Sequence, residues 1–200
     1  MKRVEASEFC VACKGYCCLH APGKFAPEDF APLGALDGQV IHDALDSGRA
    51  VMYTSFTNIE GSEAAPIFTL AARGIDREPL SLCHEALTCA HLEGDSCTYT
   101  LEERPLECAA LVPSKNFPYC MLPDDMIIEP LWVEHQGLLR EVIEQRCGRS
   151  WREELLAQMD ERRHMDAYAA GAFELVCMAG LAESSSRVDA IIAAWVASIS

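Results

Sequence analysis

At 200 residues, half of them apolar, the chain can bury one full hydrophobic core, so its 11 cysteines are not staples for a fold too small to hold itself. Its 16 Lys and Arg against 31 Asp and Glu leave a formal charge of −15 spread along the sequence. Such a surface repels phosphate backbones and anionic lipid, which excludes nucleic acid and membrane surfaces as partners.

The opening "MKRVEASEFC" places Glu5, Ser7 and Glu8 where a secretory signal carries its apolar run, so a cytoplasmic location is expected. In that reducing compartment, clustered cysteines read as metal-binding or catalytic before they read as disulfides. The first cluster follows at once in "CVACKGYCC", with Cys10, Cys13, Cys17 and Cys18. Spacings of three and seven are near whole helical turns, so the first three thiols can share a side, and Gly15 permits a tight knuckle. Cys18 is adjacent to Cys17 and points elsewhere, which suits a second metal or a second role.

Leu36, Val40, Ile41, Ala44 and Leu45 then predict a helix that Gly48 ends. "VMYTSFT" at 51–57 and "PIFTLAAR" at 66–73 predict two strands, joined as a hairpin through "NIEGSEAA", that carry the chain from the first cluster to the second. The second cluster comprises Cys83, Cys89, Cys97 and Cys108, followed by Cys120. Thiolates are soft ligands that suit zinc and iron–sulfur clusters. The two sets together suffice for two closed four-thiolate sites, or for one cluster with thiols left over.

"PSKNFPYCMLPDD", with Pro113, Pro118 and Pro123, predicts an irregular, extended path and a boundary between a cysteine-cluster lobe, 1–123, and a helical lobe, 124–200. In the second lobe Leu131, Leu138, Leu139, Val142 and Ile143 fit one apolar face, and Gly148 stops that helix. Ser150 and Glu153 then have the spacing of a capping box, ahead of Leu155, Leu156 and Met159. "AYAAGAFELVCMAGLA" at 167–182 contains Glu174 and is shorter than the roughly 20 residues of a membrane span, so it reads as a buried helix. A last helix starts near Ser186 and Asp189 and buries Ile191, Ile192, Trp195, Val196 and Ile199. Cys147 and Cys177 read as small hydrophobes, and Trp132, Trp151 and Trp195 as core anchors.

"CVACKGYCC" followed by "CAHLEGDSCTYTLEERPLEC" resembles the YkgJ-like cysteine-cluster family, described as zinc- or iron-chelating, in its C-x-x-C-x-G-x-C-C run and in the later order Cys, Leu, Cys, Tyr, Arg-Pro, Cys. The likeness covers about the first 120 residues and includes Gly15, Leu92, Tyr99, Arg104 and Pro105. It implies Cys10, Cys13, Cys17, Cys18, Cys89, Cys97, Cys108 and Cys120 as metal ligands, with Cys83 a weaker candidate. Members often carry Arg and an aromatic residue just after the last motif cysteine, where this chain has Ala109 and Leu111. The family also includes proteins similar to flagellin lysine methylases, yet this chain has no glycine-rich strand-to-helix turn suited to a methyl-donor nucleotide.

One C-x-x-C pair followed by isolated, widely spaced cysteines tips the metal toward an iron–sulfur cluster over zinc. His20, His84 and His91 read as structural before they read as ligands. Tyr99, Arg104 and Pro105 read as support around the thiolates, an arginine there offsetting negative charge. The expected fold is α+β: a cysteine-clustered, metal-binding N-terminal lobe with a small β-hairpin, packed on a mainly helical C-terminal lobe that docks a protein or peptide partner. The expected function is metal binding with a structural or redox role. Its rivals are a metal-cluster enzyme modifying a protein or peptide, and a metal-free thiol redox sensor using Cys13 and Cys17, or Cys17 and Cys18.

Overall fold

The computed structural model describes residues 15, 18–19, 22–31, 35–57, 65–75, 78–82, 88–94, 96–100, 102–113, 120–121 and 127–163. Cys10, Cys13, Cys17, Cys83, Cys177, His20, His84 and the two helices expected after residue 166 lie outside these residues. The described residues combine helices with a small three-stranded antiparallel sheet, an α+β arrangement.

The sheet is built around the expected hairpin. Strand β2 (Ala50–Thr57) pairs antiparallel with β3 (Ala65–Ala72) along its whole length, and β1 (Lys24–Phe25) adds to the far side of β3. Side chains alternate across the pleat. Phe25, Ala50, Met52, Phe68, Leu70 and Ala72 enter the main core, whereas Val51, Tyr53 and Ala71 form a separate buried cluster. Both faces being covered explains why these strands read as nearly continuous apolar runs.

Helix α1 (Gly38–Asp46) starts where the Asp37 carboxylate accepts from the Val40 amide at 3.0 Å, and it buries Ile41, Ala44 and Leu45. It is followed by Gly48, whose φ of +73° suits a glycine. Further on come β4 (Leu92–Glu93) and β5 (Ser96–Cys97), the short helix α2 (Leu106–Ala110), and β6 (Val112–Pro113) paired with β7 (Cys120–Met121). Where an irregular path is expected around Pro113, the chain is therefore extended and paired at both described ends.

Residues Glu129–His135 form a 3-10 helix ahead of α3 (Gln136–Cys147) and α4 (Trp151–Arg163). Its three-residue turn changes the phase of the apolar stripe. Leu139, Val142 and Ile143 are buried as expected, but Leu131 is 45% exposed. Gly148 closes α3 with a left-handed φ of +68°. The Ser150 hydroxyl then accepts from the Glu153 amide at 3.3 Å while the Glu153 carboxylate accepts from the Ser150 amide at 2.9 Å, the expected capping box.

Two glutamines tie these helices to the sheet. Gln136 accepts from the Phe68 amide and donates to the Phe68 carbonyl, at 2.9 and 2.8 Å, satisfying β3 beyond the end of β1. Gln158 does the same for the segment beside β2, accepting from the Leu82 amide at 2.9 Å and donating to the Leu80 carbonyl at 3.1 Å. Trp132 is fully buried and its indole N–H donates to the Phe25 carbonyl at 2.7 Å; Trp151 is also buried. One apolar cluster runs from Phe25 to Met159. No described helix is long and apolar enough to cross a membrane.

Candidate metal centre

The two cysteine segments lie side by side. The Cys89 amide donates to the Cys18 carbonyl at 2.8 Å, and the Thr88 hydroxyl donates to the Leu19 carbonyl at 3.1 Å. Gly15, with φ of +68°, sits so close to Leu92 that a Cβ there would lie 2.6 Å from Leu92 Cδ1. Two non-cysteine positions of the sequence pattern, one from each segment, thus meet in space.

Each described cysteine of the second segment is held by a different element. Cys89 is 4% exposed and bridges to Gly74, just past β3. Cys97 lies in β5 opposite Leu92 and packs, half-buried, against the main core, as does Cys18. Cys108 rides on α2, whose first amide, that of Leu106, donates to Asp29 Oδ2 at 2.8 Å. The same oxygen accepts from the Ala26 amide at 2.9 Å, so a buried aspartate far back in the sequence caps the cysteine-bearing helix. The Lys24 amide donates to Glu107 at 2.6 Å, and the Lys24 ammonium is ion-paired with Glu129.

Between these contacts lies Gly23. A Cβ there would fall 2.1 Å from Cys108 Sγ, which no side chain could accommodate without displacing the sulfur. The backbone therefore forms a close-fitting wall against that thiol. Cys120 occupies β7 opposite Pro113.

Tyr99 is buried within the second cysteine segment. Burial first, then charge on Cys89, raise its phenol well above the usual range; Arg49 opposes them, while Cys108 and Cys97 add to the rise. Three cysteines of the second segment thus bear electrostatically on one phenol. The phenol stays neutral, and its hydroxyl donates to the Arg49 carbonyl. The His91 ring stacks on Tyr99 with centroids 3.9 Å apart and planes 24° from parallel.

His91 Nε2 lies 3.2 Å from the Gly48 carbonyl, an acceptor only, so the proton resides on Nε2. Nδ1 is 3.3 Å from the Thr98 hydroxyl. Burial holds the imidazole below its usual pKa, with the charges of Arg49 and Arg73 acting the same way against the Gly48 bond. Both ring nitrogens are engaged, which makes His91 a structural histidine. The Arg49 guanidinium covers the Phe25 and Phe30 rings at 5.0 and 5.1 Å and donates to the Asp29 and Glu103 carbonyls at 3.3 and 3.4 Å.

Among the described residues, no three His, Cys, Asp or Glu side chains form a group able to hold an ion. The remaining cysteines of the first cluster, and Cys83, lie outside those residues. Cys18, Cys89, Cys97 and Cys108 carry thiols, which are soft donors, and the Gly23 backbone walls the Cys108 sulfur. Cys147 stands apart. Its thiol is pushed up to about 11 by burial and by Glu154, its hydrogen-bond partner, so it differs from the purely apolar contact expected.

Sequence reasoning misses Gly23, Asp29 and the Gly48–Arg49 corner as parts of this site. "APGK" signals only a turn, and carbonyl acceptors leave no side-chain signature. No family model, curated protein or solved structure matches the chain.

Proposed function

We propose that this protein binds a soft metal, as an iron–sulfur cluster or Zn²⁺, through cysteines of both segments, in a structural or redox role. The reading is carried by one observation: the Cys89 amide is bonded to the Cys18 carbonyl, which sets the two cysteine segments side by side. Cys18, Cys89, Cys97 and Cys108 are the described ligand candidates, to be joined by Cys10, Cys13, Cys17 and Cys120. The pattern shared with the YkgJ-like family supports the same ligand set, and the contact of Gly15 with Leu92 gives two of its glycine and leucine positions a physical reason. In this reading the N-terminal cysteine-clustered part is the metal-binding lobe and α3 and α4 belong to the helical lobe packed on it.

Bound there, a cluster would supply one-electron chemistry and zinc a fixed cross-link. Around it the chain's own residues hold position: Asp29 caps α2, Gly23 walls the Cys108 sulfur, and Tyr99 and His91 stack on each other. Purification without oxygen followed by iron, sulfide and zinc analysis tests the proposal. Brown protein with iron and acid-labile sulfide identifies the cluster, and colourless protein with stoichiometric zinc identifies the ion. Metal-free protein with intact thiols would overturn metal binding, and metal-free protein with oxidised cysteines would replace it by the thiol sensor.

A further inference from the structure

The turn between α1 and β2 belongs to neither cysteine segment, yet two rings of the second segment are bonded to it. His91 donates to the carbonyl of Gly48 at 3.2 Å, and Tyr99 donates to the carbonyl of the next residue, Arg49. The two rings stack on each other at the open end of the β4–β5 hairpin, His91 just before β4 and Tyr99 just after β5. Just outside the hairpin the Thr98 amide donates to the His91 carbonyl at 2.8 Å, so the rings are joined through the backbone as well. Cys89 lies two residues before His91, and Cys97 two residues before Tyr99.

The turn itself is closely packed. Gly48 has φ of +73°, and a Cβ at that position would meet Arg73 Nη1 at 3.0 Å. The Arg49 side chain spreads over Phe25 and Phe30, and Phe25 in turn meets Tyr99 edge-on at 6.2 Å. The acceptors therefore hang on the main core, while the donors stand beside the cysteines. A hydrogen bond between a fixed backbone acceptor and a stacked ring restricts both position and tilt, as groups behind metal ligands do.

We propose that the Gly48–Arg49 turn, through its two carbonyls, is the positioning element that holds Cys89 and Cys97 in register, with His91 and Tyr99 as positioning residues. This deepens the metal-binding reading and partly rests on it, but the hold exists in the polypeptide itself. The intervening helix–hairpin module is then a platform for the second cysteine segment and not only a connection to it.

The test compares wild type, Tyr99→Phe, His91→Phe, His91→Gln and the Tyr99→Phe/His91→Phe double variant, each full-length and as purified without oxygen. Pulsed iodoacetamide labelling with mass spectrometry reads each cysteine separately, and Cys147, whose thiol is paired with Glu154 of α4, is the internal control. Loss of one hydrogen bond is expected to speed labelling of Cys89 and Cys97 by about five- to tenfold, and of both bonds by more, at an unchanged Cys147 rate. Gln keeps an N–H donor in the place of Nε2, so His91→Gln is expected to label like wild type, which a mere space-filling role would not produce. Release of whatever iron or zinc is bound is expected to quicken about tenfold in Tyr99→Phe.

Unchanged Cys89 labelling in the double variant, or a common rise that includes Cys147, would overturn the proposal. Metal-free wild type with the expected labelling contrast would remove the metal reading and leave the positioning role standing. Bound metal with no contrast would do the reverse.

Discussion

The sheet-and-helix core and the cysteine segments are held by different physics. In the core, Phe68, Leu70, Ile41, Leu45, Leu139 and Ile143 are buried on several elements at once, so each contact is one of many and the whole is redundant. Around the cysteines the elements are two to five residues long, and single contacts decide the geometry: one carboxylate oxygen caps α2, one absent Cβ admits a sulfur, and two carbonyls hold two rings. Damage to the core is therefore expected to appear as lost stability. Damage to the cysteine region is expected to appear as lost site geometry in a chain that still folds.

The largest effect is expected in the core. Trp132→Ala removes a fully buried indole together with its hydrogen bond to Phe25 and should cost about 3–5 kcal/mol in denaturant unfolding. A loss below about 1 kcal/mol would mean that the core is far more adaptable than its packing implies.

Gly23→Ala should divide the two regions most clearly. The added methyl would occupy the space 2.1 Å from Cys108 Sγ, and forcing the two apart should cost about 1–3 kcal/mol. Bound metal should fall further than stability does, measured by elemental analysis beside an unfolding curve. Full metal content in Gly23→Ala would show that Cys108 lies outside the site.

A smaller effect follows from pH at the α3–α4 junction. Burial pushes the Glu154 carboxyl up, but hydrogen bonds from Gln158 and Arg149, the Arg149 charge and the Cys147 thiol outweigh it and hold the pKa below the usual range. The unfolded chain therefore takes up this proton first as pH falls. The stabilisation is complete above the ordinary carboxylate range and is lost as pH drops through the folded value. Denaturation midpoints of wild type should accordingly decline between pH ~7 and ~3 more steeply than those of Glu154→Gln. Parallel declines would remove Glu154 from the acid limb.

The smallest effect is expected at Leu131, which the apolar spacing assigns to the buried face and the 3-10 turn leaves 45% exposed. Leu131→Ser should change stability by no more than about 0.5 kcal/mol. A larger loss would mean that this side chain is covered in solution.

What is legible in the sequence follows the same division. Helix α1, strands β2 and β3, the Gly148 stop and the Ser150–Glu153 box can all be read because periodicity and capping act within a few residues. Leu131 defeats that reading because a 3-10 turn has a different period from the α-helix that follows it. The cysteine region is legible in its clustered thiols and in Tyr99, but not in the contacts that support them. Asp29 reaches Leu106 across 77 residues and Tyr99 reaches Arg49 across 50, and in both cases one partner is backbone, which carries no residue-specific mark. Gly23 looks like any turn glycine until Cys108 is brought against it.

The central claim, that cysteines from both segments hold one metal site, is tested most directly by metal content in three variants purified without oxygen: Cys18→Ser, Cys108→Ser and Cys147→Ser. Serine is a poor ligand for a soft metal, so Cys18→Ser and Cys108→Ser, far apart in sequence, should each lose most of the bound iron or zinc. Cys147→Ser, whose thiol is paired with Glu154 of α4, should keep it. Undiminished metal in both Cys18→Ser and Cys108→Ser, or its loss in Cys147→Ser alone, would contradict the claim.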